Sequence, residues 1–386
     1  MNGISALTAA MALIVLGSSC QQSRKSEKNK PDSQISYMDT TSFKAVVDQK
    51  VSYLYELSNS TGAKAYLTNF GARLVGLWVP DREGNFVDVV LGFSKASSYN
   101  NPKEPFFGTI VGPFGNRIAK GQFILDDQRY RLAVNNGPNT LHGGFKGVHF
   151  ANWTLKSSNK SSLTFSYTLP DRHEGFPGNI NMEVTYTLHD NNELEITYRA
   201  QSDQKTVINL TNHAYFNLNG EGSGTILNHE LQLFAEQYTP VDSTLIPTGQ
   251  LATVKGTPFD FTVMKRIGKD IDARDLQLEY GKGYDHNFVL AQEKEGDWYK
   301  AARVVGDKSG IVMDILTTEP GIQFYSGNFM NEQVQLKNGA KDSFRTAFCL
   351  EPQHFPDSPN QPNFPTTVLS PGAIYHTKSL YRFSVK

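Results

Sequence analysis

Along much of the chain apolar and polar positions alternate with a period of two. Met182, Val184, Tyr186 and Leu188 fall on one face, "HDNN" breaks the run, and Leu194, Ile196 and Tyr198 resume it. That pattern predicts two strands joined by a turn. "GQFILDDQRYRLAV", turning at Asp126-Asp127, and "NWTLKSSNKSSLTFSYTL" predict two more hairpins. "AYLTNFGARLVGLWVP" and "GIVMDILTTEPGIQFYSGNF" are rich in β-branched and aromatic residues and predict further strands. No long helical period and no internal repeat occurs. The 18 prolines and 32 glycines are spread at turn spacing, so nothing divides the chain after residue 37. The expected fold class is all-β, one large sandwich of antiparallel sheets over 37–386.

The first residues break this pattern. Ala6 to Gly17 is continuously apolar, too short for the ~20 residues of a spanning helix but suited to a signal-peptide core. Gly17, Ser18 and Ser19 then lead into Cys20, which resembles the lipobox of bacterial lipoproteins, where that cysteine is acylated. Residues 1–20 are therefore expected to be a lipoprotein-type signal, with lipidation at Cys20 and placement in a bacterial cell envelope, periplasm-facing or at the surface. Cleavage and release is the alternative. Residues 21–36 have almost nothing to bury and read as a polar tether.

Composition narrows the partner. Lys plus Arg number 37 against 38 Asp plus Glu, a formal charge of −1, which offers no global attraction for nucleic acid or an anionic membrane. A small, neutral molecule is expected. The two cysteines, Cys20 and Cys349, fall in a targeting segment and a core strand, so no disulfide framework forms.

Four polar clusters stand where strands end. "NNGPNTLHGG" presents His142 before Gly143-Gly144, where the backbone can turn freely. "TNHAYFNL" places His213 and Tyr215 between Asn212 and Asn217. "GYDHNFVL" carries Asp285 and His286, and "CLEPQHFPDSPNQPNFP" sets Glu351 before five prolines, a loop expected to stay out of any sheet. Taken singly, a histidine in a β-protein is at least as often structural as functional, Asp285 can cap a turn, and Cys349 is a small core residue. Glu351 can pair with an arginine on the surface, but "FCL" beside it predicts at least half burial, where a carboxylate without a partner is costly. Metal ligation is not expected: no H-x-H, H-x-x-x-H or C-x-x-C pair occurs at these positions, and Asp285 and His286 would face opposite sides of a strand. Phosphate-cradling glycine motifs and the G-x-S-x-G elbow are also missing.

"GNRIAKGQF", "NTLHGG", "NLTNHAYFNL", "PVDSTLIPTG", "YDHNFVL", "PGIQFYSGN" and "LEPQHFPDSPNQPNFP", in this order from about residue 50 to the end, resemble the aldose 1-epimerase, or galactose mutarotase, family. The resemblance implies a β-sandwich of the galactose mutarotase type that interconverts the α and β anomers of free aldoses such as galactose and glucose, without cofactor. A monomer is expected. It implies His213 as proton donor and Glu351 as general base, with Asn116, Arg117, His142, Tyr215, Asp285 and Gln323 holding the sugar. Pro113 and Pro352 stand where many relatives carry arginine and threonine.

The chemistry asks for these residue types. Anomerisation removes the C1 hydroxyl proton while protonating the ring oxygen, then reverses both after rotation about C1–C2. One base and one acid suffice, each within ~2.6–3.2 Å of its oxygen. The rate is then expected to fall at low pH as Glu351 protonates and at high pH as His213 loses its proton. Three other classes remain open: a non-catalytic carbohydrate-binding sandwich, a glycoside hydrolase using Asp285 and Glu351, and a hexose-phosphate epimerase, for which Arg117 is the one obvious basic candidate.

Overall fold

The computed structural model describes residues 37–386 apart from 42, 48, 102, 104 and 105, together with Met1 and Gly3. Cys20, the apolar segment and the tether lie outside the described residues. Residues 38–386 form one compact unit.

Antiparallel pairing organises that unit. A ten-stranded sheet runs, in spatial order, through Thr154–Ser158, Ser162–Leu169, Ile180–Leu188, Glu193–Ser202, Tyr375–Val385, Ile311–Thr317, Trp298–Val305, Glu230–Leu233 and Lys265–Arg266, with Lys294–Glu295 pairing beside it. The hairpin expected around "HDNN" closes with Leu188 opposite Leu194. The turn at Asp126-Asp127 forms with both residues at positive φ. The run "GIVMDILTTEPGIQFYSGNF" gives two strands in different sheets: Ile311–Thr317 joins the large one, whereas Gly321–Tyr325 crosses to a second.

That second sheet has five strands, ordered Ala252–Thr253, Ala235–Tyr238, Asp285–Leu290, Gly321–Tyr325 and Cys349–Gln353. Alternation gives it two unlike faces. Phe288, Ile322, Phe324 and Leu350 point into the main core with Met182, Val184, Ile196, Tyr198, Met313, Ile315 and Tyr381 of the large sheet. The opposite face carries Asp285, Asn287, Gln323, Tyr325, Cys349, Glu351 and Gln353, nearly all polar and all buried. One sheet thus supplies both core and chemistry.

Pro352 corrects an expectation. It lies inside a strand, opposite Ile322, and the proline-rich loop begins later. Cys349–Gln353 is the last strand of its sheet, so proline's missing N–H falls on the side where no ladder bond is required. Among the described residues one α-helix occurs, Leu276–Gly281, capped by the Asp275 side chain, which accepts from the backbone N–H groups of Gln277 and Leu278.

Candidate active site

Residues from five separate segments meet around a cavity of ≈ 790 Å³. Asn116, Arg117, His142, His213, Tyr215, Asp285 and Glu351 all line it. Gln323 is not among the lining residues: on the same sheet face, it donates from Nε2 to Asp285 Oδ1 at 2.7 Å. His286 faces the other side of its strand, its Nδ1 accepting from the Asp285 backbone N–H and its Nε2 3.3 Å from Gln277 Oε1.

His213 follows the strand Thr211–Asn212, which pairs with Ile110–Val111. Its backbone is fixed on both sides, the N–H donating to Thr109 and the carbonyl accepting from Gly108. The ring stacks with Phe106 and with Tyr215, at centroid distances of 5.7 and 5.1 Å. Nδ1 lies 3.5 Å from Cys349 Sγ, while Nε2 lies 3.7 Å from Glu351 Oε1. The nitrogen opposite Glu351 is therefore the one available to a substrate.

His142 owes its position to backbone geometry. At φ 51 it needs the left-handed conformation, with Gly143 and Gly144 at φ 83 and 95 behind it. Its Nδ1 accepts from the Asn116 N–H at 3.1 Å, and its own N–H donates back to the Asn116 carbonyl at 3.0 Å. Burial first, then the fields of His213 and Arg117, hold its pKa well below the ordinary value. The ring is therefore neutral, with Nδ1 occupied as acceptor and Nε2 presenting the hydrogen. Arg117 Nη1 stands 3.8 Å from Asp285 Oδ2, and its Nε donates to Asn136 Oδ1.

Burial separates the two central groups. Desolvation, with the charge of Asp285, pushes the Glu351 carboxyl well above the usual carboxylate range against the opposing pull of Arg117. Desolvation pulls His213 down to about 4, partly offset by its own backbone carbonyl. Near neutrality the pair holds one proton. Both shifts favour the shared proton on Glu351, whereas the reaction needs its other arrangement, with Glu351 ionised and His213 Nε2 protonated. In that order the expected pH limbs are reversed: acidification adds a second proton, at His213, while alkalinisation removes the shared one. The apparent values belong to the pair.

Several groups escaped sequence reasoning. Phe106 and His149 line the cavity from stretches without periodicity, and Lys103 and Lys282 add positive charge that Arg117 alone did not suggest. Tyr325 was within a matched motif, but nothing in its spacing marked it. Asn209 lies outside the cavity and joins its walls: Oδ1 accepts from the His354 N–H at 3.0 Å, and Nδ2 donates to the His354 carbonyl at 3.1 Å and to that of Gly115 at 3.4 Å. Its backbone bridges Pro113 and Gly115. Among the described residues, His213, Cys349 and Glu351 are the grouping of three metal-ligating types, with donor atoms within 4.8 Å of one another. The imidazole addresses the thiol and the carboxylate from different nitrogens, an arrangement that fits proton transfer better than shared coordination.

The aldose 1-epimerase family profile matches residues 53–382. The chain is 46% identical over 319 residues to the galactose mutarotase of Sus scrofa, covering 83% of this chain and 90% of that protein. It is 36% identical over 333 residues to the aldose 1-epimerase of Escherichia coli (strain K12), covering 86% and 94%. Among solved structures, the GalM/aldose epimerase homologue from C. elegans superimposes with a TM-score of 0.79 at 34% identity, over 86% of this chain and 99% of that one.

Proposed function

The chain belongs to the aldose 1-epimerase family, and from that premise we propose how its residues interconvert the anomers of a free aldose. The enzyme is an isomerase acting on carbohydrate. Glu351 takes the C1 hydroxyl proton while His213 Nε2 protonates the ring oxygen. The open-chain aldehyde rotates about C1–C2, and the two transfers reverse on the other face. His142 donates to a sugar hydroxyl from Nε2, Asp285 and Asn116 accept from others, and Arg117 donates. Tyr215 offers an aromatic face to the sugar's C–H bonds. Gln323, on the neighbouring strand, orients Asp285 through its Nε2.

The observation that carries this assignment is the placement of His213 Nε2 and Glu351 Oε1, 3.7 Å apart in the wall of a cavity that combines hydrogen-bonding groups with aromatic rings. Both oxygens that exchange protons are attached to one carbon, so the acid and base must converge. A binding module has no use for a desolvated carboxylate set against an imidazole. A glycoside hydrolase would need Asp285 free to act, whereas Gln323 and Arg117 hold it. Lys103 and Lys282 favour a second reading, in which the substrate carries a phosphate at its far end. Anomer exchange on galactose, glucose, glucose 6-phosphate and a non-reducing glycoside separates these readings. Catalysis of free galactose or glucose supports the first, exchange confined to the phosphate supports the second, and glycoside cleavage refutes both.

For the N-terminus, the sequence supports acylation of Cys20 and residence in the cell envelope, facing the periplasm or the surface. Cys20→Ala should then shift the protein from the membrane fraction to the soluble one or stall its processing. Wild-type protein found soluble, with a mature N-terminus elsewhere, refutes the anchor.

A further inference from the structure

Behind Glu351 the five-stranded sheet carries more polar atoms than it satisfies. Asn287, Gln323 and Glu351 stand opposite one another on three neighbouring strands. Gln353 is two residues beyond Glu351 and therefore on the same face. Asn287 Oδ1 and Nδ2, Gln323 Oε1, Glu351 Oε2, and Gln353 Oε1 and Nε2 are all buried without a hydrogen-bond partner. Asn287, Gln323 and Gln353 do not line the sugar cavity, so a monosaccharide there leaves them unpaired. Such clustering is costly unless something fills the space.

At Gly321 the backbone brings no side chain of its own into this cluster. Gly321 is opposite Gln353, and a Cβ on it would sit 2.6 Å from Asn287 Oδ1 and 2.9 Å from the Phe355 ring. On the far side, Gln353 Oε1 approaches Gly115, next to the Thr211 side chain, whose hydroxyl is likewise unpaired. Donors and acceptors are both stranded. A cation would satisfy only the oxygens, whereas water satisfies both.

We propose that this space is a closed water chamber, and that Asn287 and Gln353 act through its water on the Glu351 carboxylate as positioning residues for the base. The inference rests on the reading of Glu351 given above. Water donating to Oε2 favours the ionised carboxylate and partly offsets burial. The other groups facing Glu351 are His213, Arg117, Asp285, Cys349 and Tyr381, and of these Arg117 alone carries a fixed positive charge. Without the water the carboxyl holds its proton more tightly and the base is lost.

Two substitutions at one position separate this role from packing. Gln353→Met keeps the volume but makes the chamber wall apolar, whereas Gln353→Ala opens room for further water. The chamber predicts that Met is the worse change. Its kcat should fall about tenfold or more with KM for galactose within about twofold, and the alkaline limb of its pH profile should move to higher pH. Ala should retain more activity. A packing role predicts the reverse order, because Ala leaves a void and Met does not. A high-resolution crystal structure of the wild-type chain should show ordered water within hydrogen-bond reach of Glu351 Oε2 and of the Asn287 or Gln353 amide. A dry space, a cation caged by the oxygens, an unmoved alkaline limb in the Met variant, or Ala worse than Met overturns the proposal. If wild type epimerises no free aldose, the functional reading falls, while the crystallographic result still decides the chamber.

Discussion

Asn209→Ala tests whether the site is held together from outside its own cavity. The side chain makes two good hydrogen bonds to the backbone of His354 and a longer one to Gly115. Each well-formed bond contributes about 1 kcal/mol net, and stranding a buried partner costs about 1–3 kcal/mol. Some of the stranded groups are only part-buried and can reach water, so the expected loss is about 2–4 kcal/mol. The functional effect should be out of proportion. Gly115 directly precedes Asn116 and Arg117, and His354 follows Glu351 by three residues, so releasing both lets the base shift against the groups that hold the sugar. A displacement of ~1 Å can cost about 10² in rate. Urea unfolding should show a lower midpoint at unchanged slope, and kcat/KM for galactose should fall about 100-fold. Asn209→Asp keeps the acceptor for the His354 N–H but turns a carboxylate toward two carbonyls, and should be no better than Ala. A stability change under about 1 kcal/mol, or kcat/KM within about twofold of wild type, refutes the clamp.

The pH profile of kcat/KM should be bell-shaped, with an acid limb near the value of about 4 to which burial takes His213 and an alkaline limb governed by Glu351. An acid limb between pH 6 and 7, measured by anomer exchange in buffers of constant ionic strength, contradicts that order. His142→Ala and Asp285→Asn should weaken use of the sugar while the melting temperature stays near that of wild type. A variant melting far below it marks the residue as structural. Exhaustive chelation should leave activity intact, because proton transfer between His213 and Glu351 calls for no cation; loss of activity restored by zinc contradicts this.

Period-two patterning revealed the strands because half-buried sheets impose it, and the hairpin at Leu188 and Leu194 closes in the register that the alternation implied. It could not reveal which strands share a sheet. Ile311–Thr317 and Gly321–Tyr325 are four residues apart yet belong to different sheets, a choice made by tertiary packing. The proline-rich stretch misled for a related reason, since a proline is excluded only from positions that owe a ladder bond, and Pro352 is at an edge. At the site, residue types within ordered motifs pointed to His142, His213, Asp285 and Glu351. The pairing of Gln323 with Asp285, and the amides beside Glu351, depend on cross-strand register that no local pattern carries. The exchange of pH limbs was likewise hidden, because it follows from how deeply each group is buried.

Polarimetry on freshly dissolved α-galactose, comparing wild type with Glu351→Gln, His213→Asn and the double variant, tests the central claim most directly. Wild type should hasten the approach to equilibrium. Each single variant should lose about 10²–10⁴ in rate with far less change in sugar affinity, and the double variant should be little worse than either, since the two groups act in one path. Wild type that does not hasten anomer exchange, or Glu351→Gln as fast as wild type, contradicts the account.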